Sequence, residues 1–281
     1  MMKHVTITGS TRGIGFGLAD AFLATGCRVT ISSRNQDRVE AACQRLSAKY
    51  ETARVFGFAC DVTRFEDVQA LWNAAHLHFG AIDTWINNAG VAQKLQQFQK
   101  LDRGYIDTVL STNISGLIYG TKVALAGMLE QGSGKIFSME GFGSDGRFND
   151  RMTLYGTSKR AVRYFTQCVV REVGGSKIIV GSLSPGMVIT GLLTGAMPED
   201  NEQFDRAKKA INILADRVET VAPFLAAKVL AARKNGVRIK WLTKHKILWR
   251  FLTAKFRKRD LFLDAPPVPV TAVDGPNTAA S

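Results

Sequence analysis

The alternation of apolar runs with amphipathic segments most constrains the fold of this chain. Short runs rich in Val, Ile and Phe, bounded by turn residues, alternate with stretches of helical period. Such alternation predicts right-handed crossovers and a parallel sheet covered by helices on both faces. We therefore expect an α/β fold, a doubly wound parallel sheet in a single domain. The expected strands are HVTIT, RVTIS, RVFGFAC, IDTWINN, GKIFSM and KIIVGSLS.

The helices expected between these strands are Arg38–Tyr50, Glu66–Phe79, Tyr105–Glu130 and Leu154–Val173. After Pro185 the pattern is looser, and the sequence predicts a loop or short helix over the ligand site, two further helices, an edge strand and a last helix. These elements are Thr190–Asn201, Phe204–Leu214, Val218–Ala232, VRIKW and Lys246–Arg257. We expect a catalytic unit over 1–236 with a substrate loop at 190–215, a basic strand and helix over 237–263, and a disordered Pro/Ala/Gly-rich tail over 264–281.

A glycine-rich loop joins the first expected strand to the first helix, in the segment TITGSTRGIGFGLADAF. Glycines there let the backbone approach a pyrophosphate, and the helix N-terminus offers it free N–H groups and a positive dipole. The loop therefore predicts a dinucleotide site. Its expected cofactor-binding residues are Gly9, Ser10, Thr11, Arg12, Gly13, Ile14 and Gly15.

The end of the second strand indicates which dinucleotide binds. A carboxylate there would hold the ribose 2′-hydroxyl of NAD, but this chain has Ser33 and Arg34, and Arg12 stands in the glycine loop. Two guanidinium groups without a carboxylate favour a 2′-phosphate, so we expect NADPH. The alternative is two exposed arginines with no ligand. Asp61 and Val62 follow the third strand, where they can meet the adenine.

Several motifs together resemble the short-chain dehydrogenase/reductase family. They are the glycine loop Thr8–Gly15, Asp61, NNAG at Asn87–Gly90, Asn113, Tyr155-x-x-x-Lys159 and SPG at Ser184–Gly186. The resemblance, which runs from residue 3 to about residue 190, implies a Rossmann-type core, NAD(P)-dependent hydride transfer to or from a carbonyl, and a homo-oligomer built through the long helices. It also implies a water relay held by Asn113 and cofactor contacts by Asn88, Ala89, Gly90, Tyr155, Lys159, Pro185, Gly186, Val188 and Thr190.

The chemistry of carbonyl reduction gives Tyr155 and Lys159 separate roles. Hydride addition leaves an alkoxide, so the site needs a proton donor within reach of that oxygen. A tyrosine with a pKa near 10 ionises reluctantly, and an ammonium beside it stabilises the phenolate. Four residues apart on a helix, Tyr155 and Lys159 share one face. We expect Tyr155 to donate the proton and Lys159 to lower its pKa.

The serine that the family usually places about thirteen residues before the tyrosine is displaced in this chain. After the fifth strand the segment FSMEGFGSDG puts Gly141 at the usual position, and Ser144 is the nearest hydroxyl in the loop. We assign Ser144 to the substrate carbonyl. The alternative is that it only shapes the loop.

The segments GKIFSMEGFGSDGR, YGTSKRAV and LSPGMVITGLL resemble the chlorophyll b reductase branch of the family. With the segments that follow them, this resemblance covers roughly residues 3–260, and it implies reduction of the 7-formyl group of chlorophyll(ide) b to hydroxymethyl with NADPH. The enzyme alternative is a reductase of another bulky lipophilic aldehyde or ketone, such as a steroid or a polyketide. A different class is a non-catalytic NADPH-binding protein that docks on a membrane or a partner.

Positive charge is concentrated near the carboxyl end. The net charge is +13, and the segment Thr220–Arg259 holds twelve Lys or Arg and no Asp or Glu. In the last expected helix Leu248, Leu252 and Phe256 form one stripe, while basic residues lie opposite. This pattern predicts either an interfacial membrane helix or a helix packed on the core or a sister subunit. No nucleic-acid recognition module accompanies the charge.

We expect a cytoplasmic protein with a peripheral contact at the membrane surface, because the sequence shows no leader and no apolar run of about 18 residues. We expect no metal site. The cysteines lie far apart, without a CxxC pair, at Cys27, Cys43, Cys60 and Cys168.

Overall fold

The structure, a computed structural model, describes residues 2–92, 95–194, 201–254 and 259–261. The strands in these ranges are β1 (His4–Ile7), β2 (Arg28–Ser33), β3 (Val55–Ala59), β4 (Thr84–Asn87), β5 (Gly134–Met139), β6 (Ile178–Ser184), β7 (Met187–Val188), β8 (Ala215–Asp216) and β9 (Arg238–Lys240). The helices are α1 (Gly13–Ala24), α2 (Gln36–Ser47), α3 (Phe65–Phe79), α4 (Arg103–Leu110), α5 (Gly116–Gln131), α6 (Thr153–Glu172), α7 (Gly191–Thr194), α8 (Asn201–Leu214), α9 (Val218–Ala231) and α10 (Lys244–Thr253).

The main sheet has seven parallel strands among the described residues, in the order β3-β2-β1-β4-β5-β6-β9. Val5 of β1 pairs with Val29 of β2 on one side and with Thr84 of β4 on the other. The chain therefore winds outward in both directions from β1, and the connections after β1 and β4 leave the sheet on opposite faces. This divergence opens a crevice at the carboxyl ends of the central strands, where doubly wound sheets bind ligands. The short strands β7 and β8 form a separate parallel pair.

Each face of the sheet is covered by helices. One hydrophobic core joins the sheet to α1, α2 and α9, and includes the fully buried Phe22 and Leu225. The other joins it to α3, α5 and α6, and includes Trp85 and Met128. Because both faces are covered, the central strands are buried along their whole length, as all four residues of β1 are. This arrangement is the predicted doubly wound α/β fold.

The predicted elements are found close to their expected places, and two of the differences bear on the ligand site and on the last helix. The stretch expected as one helix over Tyr105–Glu130 is two helices joined by a π-helical turn at Ser111–Ser115. The last helix begins at Lys244, two residues earlier than expected, because the Thr243 side chain accepts a hydrogen bond from the Lys246 backbone N–H and caps it. The expected tail, 264–281, and part of the expected substrate loop, 195–200, lie outside the described residues.

A buried carboxylate anchors the carboxyl-terminal segment. Asp216, at the end of β8, accepts hydrogen bonds from the Trp241 indole at 2.5 Å, from Arg250 at 2.6 Å and from Arg259 at 3.0 Å. Burial alone would raise the pKa of Asp216, but the Trp241 and Arg250 hydrogen bonds and the Arg250 charge bring it below its ordinary value. Two of the basic residues that create the charge excess are thus paired inside the molecule.

The face of α10 that points inward is the basic one. Arg250 reaches Asp216, and Lys246 packs 3.1 Å from the centre of the Trp241 ring. Leu248 and Leu252 lie on the outer side and are 60% and 64% exposed. Phe256, the third residue of the expected stripe, lies outside the described residues. The alternative in which the apolar stripe packs on the core of the same chain is therefore wrong, because the inward side of the helix follows the ion pair with Asp216.

Replacing Asp216 with Asn should lower the free energy of unfolding by about 2 kcal/mol, the order of a hydrogen bond to a charged group, since two guanidinium groups lose their anionic partner. The lowered pKa of Asp216 makes its contribution fully present above the ordinary aspartate pKa, about 3.9, and lost as pH falls through the folded value. Urea unfolding at pH 7 and pH 3 measures both effects, and the difference between wild type and variant should shrink at the lower pH.

The matched control is Asp20→Asn, which removes a surface ion pair between Asp20 and Lys49. The side chains of these two residues are 33% and 60% exposed, respectively. Exposed pairs contribute about 0–1 kcal/mol, so this variant should unfold near the wild-type midpoint. Equal losses in the two variants would contradict the anchoring role of Asp216.

Candidate active site

Four segments meet at the carboxyl edge of the central strands. The glycine loop follows β1, NNAG follows β4, the loop beginning at Glu140 follows β5, and SPG follows β6. Helix α6 carries Tyr155 and Lys159 against this edge, and both side chains are buried. The residues that the sequence singled out from distant segments therefore lie around one crevice.

The glycine loop needs glycine for two reasons, its backbone conformation and its close approach to the neighbouring NNAG segment. Gly9 and Gly13 have φ of 62° and 57°, which side chains disfavour. A Cβ at Gly9 would lie 2.7 Å from Ala89 Cα, and one at Gly15 would lie 2.4 Å from Asn88 Nδ2. The loop is thus in close contact with NNAG. Because its glycines carry no side chains, a ligand at the start of α1 meets backbone atoms.

Hydrogen bonds between the loop and its neighbours fix this cradle. Asn88 Nδ2 donates to the carbonyl oxygens of Thr8 at 2.9 Å and Gly9 at 2.8 Å. The Ser10 hydroxyl donates to Ile7 O at 2.6 Å and accepts from Ser32 N at 2.9 Å. The side chain of Ser10 is therefore committed to the fold, and a cofactor contact at this residue is left to its backbone.

The Oδ1 oxygen of Asn88, a buried polar atom of this cradle, has no hydrogen-bond partner among the described residues. Buried acceptors are nearly always satisfied, so an unsatisfied one beside a glycine loop fits a ligand that brings its own donors. A dinucleotide carries such donors in its ribose hydroxyls. The residues present thus fit the nicotinamide dinucleotide that the sequence predicts.

The residues expected to select the cofactor lie at the ends of β1 and β2. Arg12 and Arg34 are exposed, and Ser33 is half-buried with its hydroxyl donating to Asn35 O at 3.2 Å. A backbone hydrogen bond from Ser10 N to Ser32 O, 2.9 Å long, holds the two segments side by side. The structure therefore places both cationic residues next to the glycine loop.

Asp61 and Val62 follow β3, as expected, but each has a structural contact of its own. Asp61 Oδ1 accepts from the backbone N–H and the hydroxyl of Thr63 at 2.9 and 2.8 Å. Val62 is buried against the start of α5, where a Cβ at Gly116 would lie 2.7 Å from it. Their contact with adenine stays a prediction.

Lys159 and Asn113 flank NNAG from two helices. A Cβ at Gly90 would lie 3.1 Å from Asn113 Oδ1 and 3.5 Å from Lys159 Nζ, so the two groups border the same glycine. Lys159 Nζ also donates to Met139 O at 3.2 Å and lies 5.7 Å from the centre of the Tyr155 ring. The predicted tyrosine, lysine and asparagine are thus neighbours in the fold.

The π-helical turn aims Asn113 at this point. Its Nδ2 donates to Val91 O and to Ser158 Oγ, both at 3.0 Å, and its Oδ1 accepts from Val91 N at 2.8 Å. The extra residue of a π-turn redirects a side chain inward, and such turns recur at functional sites. Asn113 is therefore rigidly held, with its oxygen close to the lysine.

Gly141 lies directly against the Tyr155 hydroxyl. A Cβ at Gly141 would come within 2.3 Å of Tyr155 Oη and 3.1 Å of Lys159 Cγ, and the next glycine, Gly143, would meet Gly156 Cα at 2.6 Å. The loop after β5 packs its bare backbone on the first turns of α6. In this structure a side chain at the family's usual serine position would displace the tyrosine.

Ser144 has a different partner from the one expected. Its hydroxyl is buried and lies 3.1 Å from Glu140 Oε2, and its carbonyl accepts hydrogen bonds from Arg160 and Arg163 at 3.3 Å. The Glu140 carboxylate is in turn bound by Arg238 Nε at 3.0 and 2.9 Å. These contacts favour the loop-shaping alternative, and the assignment of Ser144 to a substrate carbonyl stays a prediction.

Glu140 is the site residue that sequence reasoning missed. Its side chain is only 1% exposed, and its charge acts on Lys159 as well as binding Ser144 and Arg238. A carboxylate directly after a buried strand, in FSMEGFG, was the available signal. Its cationic partner lies 98 residues away in the chain, so spacing could not show the pair.

Burial controls the protonation of the two central groups. It raises the pKa of Tyr155 to about 12, and it lowers the pKa of Lys159 to about 8 against a smaller opposite effect of Glu140. The net shift of Tyr155 is thus opposite to the one expected from Lys159. A raised pKa keeps the hydroxyl protonated at neutral pH, which suits a group that donates a proton to a developing alkoxide.

The SPG segment closes the crevice from the side of β6. Gly186 has φ of 73° and packs against Leu242, which a Cβ would approach to 2.6 Å. Pro185 and Val188 are buried, and the Thr190 methyl lies 3.4 Å from where a Cβ of Gly13 would stand. Thr190 therefore faces the glycine loop across the crevice.

Comparison with known proteins gives this arrangement a family. The profile of the short chain dehydrogenase family matches residues 3–201. The chain belongs to this family. The probable chlorophyll(ide) b reductase NYC1, chloroplastic, of Arabidopsis thaliana is 34% identical over 278 residues, which are 93% of this chain and 55% of that protein. This chain thus spans about half the length of that relative.

A second relative and a solved structure agree with this placement. The chlorophyll(ide) b reductase NOL, chloroplastic, of Arabidopsis thaliana is 38% identical over 239 residues, 83% of this chain and 67% of that protein. A variant of the actinorhodin polyketide ketoreductase, solved with NADPH, superposes with a TM-score of 0.74 at 25% identity and covers 85% of this chain and 96% of its own.

Gly141→Ala should lower kcat about 100-fold, the order expected from a misplacement of about 1 Å, because the new methyl group displaces the Tyr155 hydroxyl. Steady-state oxidation of the reduced nicotinamide cofactor, assayed with NADPH and with NADH and a reducible carbonyl, measures kcat, and circular dichroism checks the fold. The control is Gly156→Ala on the same helix, whose Cβ would meet only Gly143 Cα at 4.0 Å. That variant should stay active, and equal loss in both would contradict the contact with Tyr155.

The rate of carbonyl reduction should be level below pH 8 and fall above it, because the Lys159 ammonium loses its proton near pH 8. The measurement is kcat/KM for the reduced nicotinamide cofactor from pH 6 to 10. Lys159→Arg stays cationic throughout, so its profile should lose this limb whatever its absolute rate. A limb at the same pH in both proteins would assign it to another group.

Proposed function

We propose that this protein is an NADPH-dependent carbonyl reductase that reduces the 7-formyl group of chlorophyll(ide) b, or of a similar large ring, to a hydroxymethyl group. The observation that carries the proposal is the buried Tyr155 hydroxyl, seated against the bare backbone of Gly141 and one helical turn from Lys159. The substrate is supported by the names of the two plant relatives, which match 83% and 93% of this chain.

The reaction needs a hydride, a proton and a place for the carbonyl oxygen. Bound NADPH would supply the hydride. The Tyr155 hydroxyl, kept protonated by burial, donates its proton to the carbonyl oxygen as negative charge develops there. The Lys159 ammonium stabilises the phenolate left behind, and Asn113, fixed by Val91 and Ser158, holds the polar path from Lys159 to solvent.

The preference for NADPH rests on charge at the end of β2. Arg34 and Arg12 offer two guanidinium groups to a 2′-phosphate, and the segment ISSRN carries no carboxylate that would repel it. The ketoreductase solved with NADPH shows that a protein of this fold accommodates that cofactor, so the choice of NADPH depends on the two arginines.

Two alternatives remain in different classes. A reductase of another bulky lipophilic aldehyde or ketone would use the same residues, and only substrate turnover separates it from the proposal. A non-catalytic NADPH-binding protein would not need the Tyr155–Lys159 pair, and the close seating of Tyr155 on Gly141 speaks against it. Self-association through α4, α5 and α6 and a cytoplasmic location belong to the same proposal.

Arg34→Ala should raise the KM for NADPH about tenfold and leave that for NADH nearly unchanged, since a charge-assisted hydrogen bond to phosphate contributes roughly 1.5–3 kcal/mol. The ratio of the two KM values measures the effect. Arg103→Ala, in which an arginine 95% exposed on α4 is lost, is the matched control and should change neither value. An unchanged NADPH:NADH ratio in Arg34→Ala would overturn the assignment of this residue.

Purified protein should consume NADPH with chlorophyllide b and form the 7-hydroxymethyl product, which chromatography and absorbance identify. Tyr155→Phe should lower the rate at least about 100-fold without weakening NADPH binding, because only the proton donor is lost. Tight NADPH binding without turnover of chlorophyllide b would overturn the pigment assignment and direct the search to other lipophilic carbonyls. Full turnover by Tyr155→Phe would overturn the mechanism.

A further inference from the structure

Helix α10 presents an unusual apolar surface to solvent. Its exposed large apolar side chains are Leu248 at 60%, Trp249 at 60%, Phe251 at 53% and Leu252 at 64%. Their spacing puts them on one side of a helix of 10 residues. Single exposed apolar residues are ordinary, but a contiguous group of four large ones marks an interaction site. We call these four residues the apolar face of α10.

The helix is held in this orientation from below. Arg250 donates to Asp216 at 2.6 Å and to Leu214 O at 2.8 Å, and Lys246 packs on the Trp241 ring. Turning the apolar face inward would break these contacts. The Arg250–Asp216 ion pair therefore sets the outward direction of the apolar face, so the exposure of this face is part of the folded structure.

A cationic cleft lies directly beside this face. Among the described residues, four basic side chains line it together with one carboxylate, that of Asp216, and Trp249 belongs to both the cleft and the apolar face. The basic residues are Lys209, Lys246, Arg250 and Arg259. Since one carboxylate cannot balance four cations, the cleft attracts an anionic group.

We propose that the apolar face of α10 and this cleft form a docking surface for an anionic lipid bilayer. The four apolar side chains enter the boundary between headgroups and acyl chains, while the cleft receives a lipid phosphate group. A short helix with apolar residues on one side and flanking cations is suited to lie in that boundary. The contact is peripheral, since no helix among the described residues is long and apolar enough to cross a membrane.

Charge decides between a bilayer and a second copy of this chain. Two copies that meet through this face would bring two identical cationic clefts together, on chains that each carry a net charge of +13. Like charges at a shared interface oppose association, whereas an anionic surface neutralises them. The bilayer is therefore the occupant that the observations favour.

Docking would bring the substrate side of the protein to the lipid. Helix α10 is tied to the end of α8 by the Arg250–Leu214 hydrogen bond, and α8 belongs to the segment expected to cover the substrate. A lipophilic carbonyl dissolved in the bilayer would then enter beside that segment. This consequence rests on the proposed function, whereas the docking surface itself does not.

Vesicle binding tests the surface without any substrate. The whole 281-residue chain should sediment with vesicles of phosphatidylglycerol at low salt, bind phosphatidylcholine vesicles at least about tenfold more weakly, and dissociate from phosphatidylglycerol as salt is raised. The fluorescence emission of Trp249 should shift to shorter wavelength on binding. Trp249→Phe should remove that shift, which shows that the shift comes from Trp249 and not from the other tryptophans.

Two variants test the two parts of the surface. The double variant Leu248→Ser/Leu252→Ser and the charge variant Lys209→Glu should each weaken vesicle binding about tenfold or more. Leu77→Ser, which removes a leucine 88% exposed on α3, is the matched control and should bind like wild type. Thermal unfolding of each variant verifies that it is folded, and both positions of the double variant lie on the surface.

Several results would overturn the proposal. They are absence of binding to phosphatidylglycerol at low salt, binding that the Leu248→Ser/Leu252→Ser variant retains in full, and a dimer in light scattering that this variant abolishes while vesicles have no effect. Uptake of inorganic phosphate without vesicle binding would also overturn it, since the cleft would then serve a free ion. Because no assay here uses chlorophyllide b, failure of the reductase proposal would leave these results unaffected.

Discussion

Parallel pairing of β1 with β2 on one side and β4 on the other is the constraint on which the site depends. It sends the connections from neighbouring strands to opposite faces, so the crevice forms where no crossover covers the sheet. The glycine loop, NNAG and the loop after β5 all reach this crevice because each follows a strand of the same direction. Glycine backbone in one loop then packs closely on the neighbouring loop, as Gly9 does beside Ala89.

Burial, more than the neighbouring charge, sets the chemistry of Tyr155 and Lys159. Removal from water disfavours both the phenolate and the ammonium, which keeps the tyrosine protonated and brings the lysine pKa to about 8. Glu140 opposes part of the shift in Lys159 while its own charge is held by Arg238. The loop after β5 therefore shapes the site in two ways, sterically through Gly141 and electrostatically through Glu140.

The carboxyl-terminal segment shows that a high number of basic residues in the sequence does not by itself predict a positively charged surface. Arg238 and Arg250 belong to the basic stretch, but each is bound to a buried carboxylate of the fold. Pairing of Arg250 with Asp216 also turns the apolar residues of α10 outward. Lys209, Lys246 and Arg259 then line a cleft beside the exposed Trp249.

The sequence by itself determined the doubly wound sheet, the glycine loop and the Tyr155–Lys159 pair, because strand and helix periods and short spacings are local properties. Only the tertiary structure decided that Gly141 seats the tyrosine, that Ser144 binds Glu140, and that α10 turns its apolar side to solvent. The carboxylate–guanidinium partners that fix the last two lie 98 and 34 residues apart in the chain. No periodicity encodes such contacts, since they arise only when the packed sheet brings distant segments together.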